Sequence, residues 1–322
     1  MEHRIFGKEI TNIPNPDAQK SRRGYSTLHE DRLSLHSQVA RAATRSTSVH
    51  VPAVPVPEGN PQMVPDYFHD NMQFLKTQEK SGRRLHNYVS GHRVVTEANR
   101  AKLIDWLGEL HQKYRMFPET IFTVVDLVDH YLAVKDVPLK ELQLVGVSAF
   151  FIAAKFEETY QVPQLRQLVG CCDGQYTARD ILEKEADIIK ERDFQLIINS
   201  AYKFFDPLAK VIGLEPKNRH LAQYVLELAL LQPRFLNYAP SLMASAAIYL
   251  IKKIRKSEAS WNELMNAAVG YKEQELKVCA KDLCSLLENA PDMEHTKSLK
   301  KKFSLPAFHE VTRIKLERKA RQ

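Results

Sequence analysis

Glycine is scarce, with 11 in 322 residues, too few for the tight turns and close backbone approaches on which Gly-rich nucleotide folds and all-β architectures depend. That favours helices. Long hydrophobic runs are also missing. The longest apolar stretches are residues 142–154 and 235–251, the second broken by Asn237 and Pro240, and both fall short of the roughly 20 residues of a membrane-spanning helix. The opening residues MEHRIFGKEI are charged and lack an apolar core, so no secretory signal and an intracellular compartment are expected. Four cysteines, Cys171, Cys172, Cys279 and Cys284, form no C-x-x-C pair. In a reducing compartment they read as small hydrophobes rather than a disulfide framework. No G-x-G-x-x-G, Walker A, H-E-x-x-H, G-x-S-x-G or kinase catalytic-loop string occurs, and no two histidines stand at the i, i+4 spacing of a helical metal site. The chain is therefore expected to be no enzyme and to hold no cofactor or metal.

What is present is an ordinary globular composition, 44% hydrophobic and 26% charged, which excludes wholesale disorder and leaves room for one large domain or two modest ones. The net charge of +7 is unevenly placed: residues 296–322 carry +7, residues 1–60 carry +2, and residues 61–295 carry −2. Basicity belongs to the end of the chain. A body near neutrality does not suit a dedicated nucleic-acid module, which needs a basic face on the fold.

Residues 1–63 lack apolar periodicity and finish in the Pro-spaced VPAVPVPEGNP, reading as a disordered arm and linker. A leading amphipathic helix follows, with Tyr67, Met72, Phe74 and Leu75 as its expected apolar side. ANRAKLIDWLGELHQKY places Leu103, Trp106, Leu107, Leu110 and Tyr114 at helical spacing. Pro118 and Glu119 then open a helix in which Ile121, Val124, Val125, Val128, Tyr131 and Leu132 recur with helical period. LQLVGVSAFFIAA, Leu142 to Ala154, is apolar on nearly every side and must be surrounded by other helices. A short helix near Pro163 to Val169 and a longer one from Thr177, a fitting N-cap, complete a set of five. Five more patterns follow, at Ala201 to Ile212, Asn218 to Leu231, Pro240 to Lys253, Ser260 to Val269 and Lys272 to Leu287. SLMASAAIYLIKK is again apolar all round, so the second set repeats the first. The expected fold is all-α: two tandem five-helix units, residues 64–198 with the leading helix and 199–290, with a basic C-terminal tail over 291–322.

Asp129 lies on the flank of an apolar stripe and needs a partner. Arg100, at the start of the preceding helix, can supply a bidentate structural ion pair. On spacing alone Lys155 complements the C-terminal dipole of its helix and Glu185 is a solvated face residue. The basic strings KSLKKK and RIKLERKAR could address the nucleus, touch nucleic acid or solubilise. Arg32 to Leu35 forms an R-x-x-L string of the destruction-box type, a weak degron signal because the string recurs at Arg100, Arg179 and Arg313.

The run NRAKLIDWLGELHQKYRMFPETIFTVVDLVDHYL, followed by VPLKELQLVGVSAFFIAAKFEETY and YTARDILEKEADIIKERDFQL, resembles the cyclin box of a mitotic cyclin, nearest the B type with the A type next. The likeness extends over about residues 64 to 290, with YAPSLMASAAIYLIKK matching the second cyclin fold. The resemblance implies a regulatory subunit that activates a mitotic, PSTAIRE-type cyclin-dependent Ser/Thr kinase at G2/M, found in nucleus and cytoplasm. It assigns Lys155 and Glu185 to hydrogen bonds with the kinase backbone near its C-helix, reversing the spacing-only reading. It assigns Ile152, Phe156, Ile189, Phe194 and Leu196 to the apolar surface receiving that helix, and Arg100 with Asp129 to an internal ion pair. The family's docking patch for R-x-L substrates or inhibitors begins Met-Arg-Ala-Ile-Leu. Here it reads Asn99-Arg100-Ala101-Lys102-Leu103, and Leu103, Trp106, Glu109 and Gln143 remain as a reduced patch. No Ser-Pro or Thr-Pro is present for proline-directed phosphorylation, and ubiquitin-ligase machinery is a further implied partner. The alternative is a DNA-binding factor of the transcription factor IIB kind, which also pairs two five-helix repeats. Its zinc ribbon needs paired Cys ligands, and residues 1–60 contain none.

Overall fold

The computed structural model describes residues 67–81, 85, 87–92, 94–160, 162–255 and 270–314, and among them are eleven α-helices and no strand. The expected arm, the Arg32 to Leu35 string and the helix expected at Ser260 to Val269 lie outside the described residues. No helix among the described residues is long and apolar enough to cross a membrane.

Local chemistry starts the helices where the sequence places their signals. After the leading helix α1 (Phe68–Ser81), the Thr96 side chain accepts from the Asn99 backbone N–H to cap α2 (Glu97–Lys113). Pro118 sits in the first turn of α3 (Pro118–Val134), where its missing N–H costs nothing. The central helix α4 (Leu142–Glu157) buries all thirteen residues from Leu142 to Ala154, and α2, α3 and α6 surround it. Gln164 and Gln167 form a capping box on the short α5 (Leu165–Cys171), and Thr177 and Asp180 do the same on α6 (Ala178–Glu191). The second unit repeats the plan with α7 (Ala201–Val211), α8 (Pro216–Leu230), the buried α9 (Pro240–Ile254) and α10 (Glu273–Asn289). Its hub α9 packs on α7, α8 and α10. Cys172 and Cys279 are buried, and Cys171 and Cys284 are half-buried free thiols.

Two expectations are corrected. The buried side of α1 is Phe68 and Met72, with Tyr67 and Phe74 more than half exposed. Phe68, Met72, Leu75 and Glu79 stand at i, i+4, i+7 and i+11, and this stripe faces the second unit. There the Glu79 carboxylate accepts from the Ser241 backbone N–H at 2.8 Å and its hydroxyl at 2.6 Å, capping the N-terminus of α9, where negative charge is favoured.

The second correction concerns the expected basic tail. Residues 296–314 are folded: α11 (Lys297–Phe303) lies against α2 of the first unit and α8 of the second, followed by two short 3-10 turns. The Asp105 carboxylate on α2 accepts from the backbone N–H groups of Lys297 and Ser298, the latter at 2.8 Å, capping α11. Leu299, Phe303 and Val311 are buried. Phe303 lies between Tyr224 and Phe308, tilted against the first ring and edge-on to the second, with centroids 5.1 Å from each. The Lys302 ammonium is enclosed as well, 2.6 and 2.8 Å from the two carboxylate oxygens of Glu227. Gly108 permits the approach, since a Cβ there would lie 2.5 Å from the Ser298 hydroxyl oxygen. The segment straps the two units together.

Beside this strap, His111 is buried and donates a ring N–H to the Phe117 carbonyl at 2.8 Å. Burial, with the Lys302 charge adding, pushes its imidazole from 6.5 down to about 3. The folded state therefore binds fewer protons than the unfolded chain below pH ~6.5, so stability is complete above that pH and falls as acid is added. By pH 5 the loss amounts to about 2 kcal/mol. Urea midpoints at pH 7 and pH 5 should separate more for wild type than for His111→Gln. Equal separations would refute the assignment.

Candidate functional site

The C-terminal end of α4 and one face of α6 meet at Lys155. Its ammonium donates to the Glu185 carboxylate on α6 and lies 4.2 Å above the Phe151 ring. The Lys155 side chain is 43% exposed and that of Glu185 only 9%, so Glu185 is no solvated face residue. It is a nearly buried carboxylate that holds a cation at the surface. The two glutamates after Phe156 brace the helix end. Glu157 accepts from the Thr123 hydroxyl at 2.8 Å, and Glu158 accepts from the Phe117 N–H at 2.7 Å and the Thr120 hydroxyl at 2.5 Å, fastening α4 to the first turn of α3.

Apolar side chains are left open at the end of α4, on α6 and in the linker that follows α6. Phe156 is 43% exposed, Phe194 74% and Ile197 69%, while Ile189 and Leu196 are half-buried. Leu182, Glu185 and Ile189 share one face of α6 at i, i+3 and i+7, and Leu182 is also exposed. Ile197 and Leu182 were not among the expected contact residues. A lone apolar residue in a linker or on a helix flank carries no pattern that marks it as open. Ile152 is a correction in the other direction. At 2% exposure it is core, because α4 is enclosed on all sides at that level and opens only at its last turn.

The linker is held in a costly backbone. Asp193 and Phe194 have φ values of 47° and 60°, a left-handed conformation that costs a bulky residue about 1–2 kcal/mol. The turn is maintained by the Phe194 N–H to the Ile189 carbonyl, the Arg192 guanidinium to the Gln195 carbonyl, and Arg192 paired with Asp126 at 3.2 Å. Its result is a phenyl ring carried into solvent.

Arg100 and Asp129 form the expected ion pair, with two 2.6 Å bonds between side chains each 1% exposed. Beyond expectation, Tyr88 donates its hydroxyl to Asp129 at 2.8 Å, and the remaining Arg100 branch donates to the Leu230 carbonyl at the end of α8, also at 2.8 Å. One guanidinium thus joins α2, α3 and the second unit. Burial opposes its charge, but Asp129 outweighs it and the Arg100 pKa rises.

The reduced docking patch is mostly covered. Leu103 is fully buried, Trp106 7% and Gln143 1% exposed, and Glu109 half-buried, while Lys102 is exposed. Leu103 packs so closely on α4 that a Cβ at Gly146 would lie 2.6 Å from its Cδ1, which makes it core between helices. The Gln143 amide has both polar atoms buried without a hydrogen-bond partner.

Two family models match in succession: Cyclin, N-terminal domain, over residues 70–197, and Cyclin, C-terminal domain, over residues 200–316. The second match includes the strap. Among curated relatives, Cyclin-B1-3 of Oryza sativa subsp. japonica is 33% identical over 253 residues, covering 79% of this chain and 53% of the relative. G2/mitotic-specific cyclin-B of Marthasterias glacialis is 31% identical over 255 residues, covering 79% of this chain and 65% of the relative. The chain thus spans between half and two-thirds of these relatives' length. A viral cyclin from herpesvirus saimiri has the same fold, with a TM-score of 0.56 at 18% identity over 67% of this chain and 97% of that one. Two consecutive cyclin domains in the expected order, with B-type cyclins as sequence relatives, show that this chain belongs to the cyclin family.

Proposed function

We propose that this chain is a non-catalytic regulatory subunit that binds and activates a cyclin-dependent Ser/Thr kinase of the PSTAIRE type during mitotic progression, acting in nucleus and cytoplasm. The observation that carries the reading is the Lys155–Glu185 pair accompanied by open Phe156, Phe194 and Ile197. Large apolar side chains held exposed on a rigid frame suit a protein partner, and a lysine and a glutamate side by side offer a donor and an acceptor to that partner's backbone. Such a surface activates a kinase by binding its active arrangement better than its inactive one. The population shift is limited by that differential affinity. The frame needs rigidity for this, which the brace at Glu157 and Glu158 and the linker turn at Asp193 supply. The curated relatives named as G2/mitotic-specific cyclins support the timing. Substrates or inhibitors that use the reduced docking patch, and ubiquitin-ligase machinery acting on the N-terminal arm, complete the proposed partners.

The test is binding and activation of a panel of cyclin-dependent kinases, read on a histone-type substrate. Charge-assisted hydrogen bonds contribute about 1.5–3 kcal/mol each. Lys155→Ala combined with Glu185→Ala is therefore expected to weaken kinase binding by at least about tenfold, with the helical circular dichroism unchanged. A folded wild-type chain that activates no kinase would overturn the proposal.

A further inference from the structure

Phe194, at 74% the most exposed large apolar side chain among the described residues, stands in a turn where two consecutive residues, Asp193 and itself, take positive φ without a glycine. Such a backbone persists only where its surroundings over-determine it, and an observed outlier of this kind points to function. Arg192, the C-cap of α6, supplies much of that determination. Both backbone groups of Gln195 close onto it: the Gln195 N–H donates to the Arg192 carbonyl at 2.8 Å, and Arg192 Nε donates to the Gln195 carbonyl at 3.2 Å. Asp193 and Phe194 are the loop held between. The far end of the guanidinium stands 3.2 Å from the Asp126 carboxylate on α3, which ties the loop to a second helix, and α3 and α6 both pack on the central α4. The Arg192 side chain is only 13% exposed and engaged at both ends, so it has little to offer a partner directly.

We propose that Arg192 is a positioning residue for kinase binding: with Asp126 as its anchor it staples the Asp193–Phe194 turn, so that the Phe194 ring is held in one direction before the partner arrives. This deepens, and rests on, the kinase-binding reading above. The physical reason is preorganisation. An aromatic side chain on a loose loop gives up loop and rotamer freedom when it binds, whereas one already held gives up little. The strained turn is thus borne by the folded chain and not by the complex. Glycine at 193 would reach the same φ without strain but would leave the loop free. The staple also calls for arginine, because one planar fork reaches the Gln195 carbonyl and the Asp126 carboxylate together, and the single ammonium of a lysine must choose between them.

Two measurements on the full chain test the staple. In the free protein, hydrogen exchange of the Phe194 and Gln195 amides, which bond the Ile189 and Arg192 carbonyls, should be about tenfold faster in Arg192→Met while the amides of α4 keep their wild-type rates, the mark of a local opening. Against the PSTAIRE-type kinase that the panel above selects, Arg192→Met should weaken binding about fivefold where Phe194 is present and by less than about twofold in a Phe194→Ala background, because the effect of Arg192 passes through that ring. Arg192→Lys should fall between. Asp126→Asn, which frees the anchor and leaves the Gln195 bond, should move both readouts the same way by less, and it decides the matter if Arg192→Met loosens α4 as well. Equal losses with and without Phe194, an affinity that Phe194→Ala does not change, or unchanged exchange at residues 194 and 195 in both variants would overturn the positioning role. If no kinase binds the folded wild-type chain, the functional reading and the affinity half fall together, while the exchange rates still decide whether Arg192 holds the turn.

Discussion

Lys302→Ala is expected to cost about 3–5 kcal/mol of folding stability, while Lys301→Ala, one residue earlier in the same lysine run, leaves the denaturation midpoint where it is. The two side chains differ only in direction. Lys301 is exposed. Lys302 is 7% exposed, reaches both oxygens of a Glu227 side chain that is 2% exposed, and lies 5.0 Å from the centre of the Phe303 ring. Gln223 donates to the same carboxylate at 2.8 Å, so Glu227 is satisfied only with the strap in place. Removing Lys302 strands a buried charge, and that stranding, rather than any net attraction of the pair, is the source of the loss. The double replacement Lys302→Met with Glu227→Leu removes both charges and should recover most of it. Urea denaturation followed by circular dichroism measures all three. Equal, small effects at positions 301 and 302 would mean that residues 296–314 are not docked in solution.

The second large effect is expected at Arg100. Arg100→Ala should cost about 3–5 kcal/mol for the same physical reason. Arg100→Lys should lie nearer to the alanine variant than to wild type, because an ammonium cannot make two parallel bonds to Asp129 and also reach the Leu230 carbonyl. Asp129→Asn keeps the shape but loses the charge and one acceptor, leaving the Tyr88 hydroxyl and the guanidinium to compete for what remains. Denaturation midpoints decide it. A lysine variant as stable as wild type would mean that charge alone, and not the forked geometry, joins these elements.

Much of the fold was legible because its signals are local. The apolar residues of α3 recur with the helical period, Pro118 fits only a first turn, Thr177 caps α6 with Asp180, and the runs that became α4 and α9 are too apolar to lie anywhere but inside. Arg100 and Asp129 could be paired because a carboxylate flanking an apolar stripe requires a cation and one stood on the preceding helix. The strap was missed for the opposite reason. Lysines dominate residues 297–302 and give the segment the composition of a tail, although Leu299 and Phe303 stand one helical turn apart. On α1 the expected Met72 is buried and Leu75 half-buried, but Tyr67 and Phe74 are as apolar as Phe68, and only the docking partner decides that Phe68 joins Met72 on the buried side.

The sequence by itself determined the helices of the two repeats, the buried hubs and the internal ion pair, all of which follow from periodicity, capping and the cost of an unpaired buried charge. The tertiary structure alone decided which side chains remain open, which lysine is buried, and how the two units are joined. Those contacts run from Arg100 to a backbone carbonyl at Leu230, from Asp105 to the backbone N–H groups of Ser298 and Lys297, and from Glu79 to the N–H of Ser241. Backbone groups are the same at every residue, so a side chain that seeks one leaves no trace in the sequence of its partner.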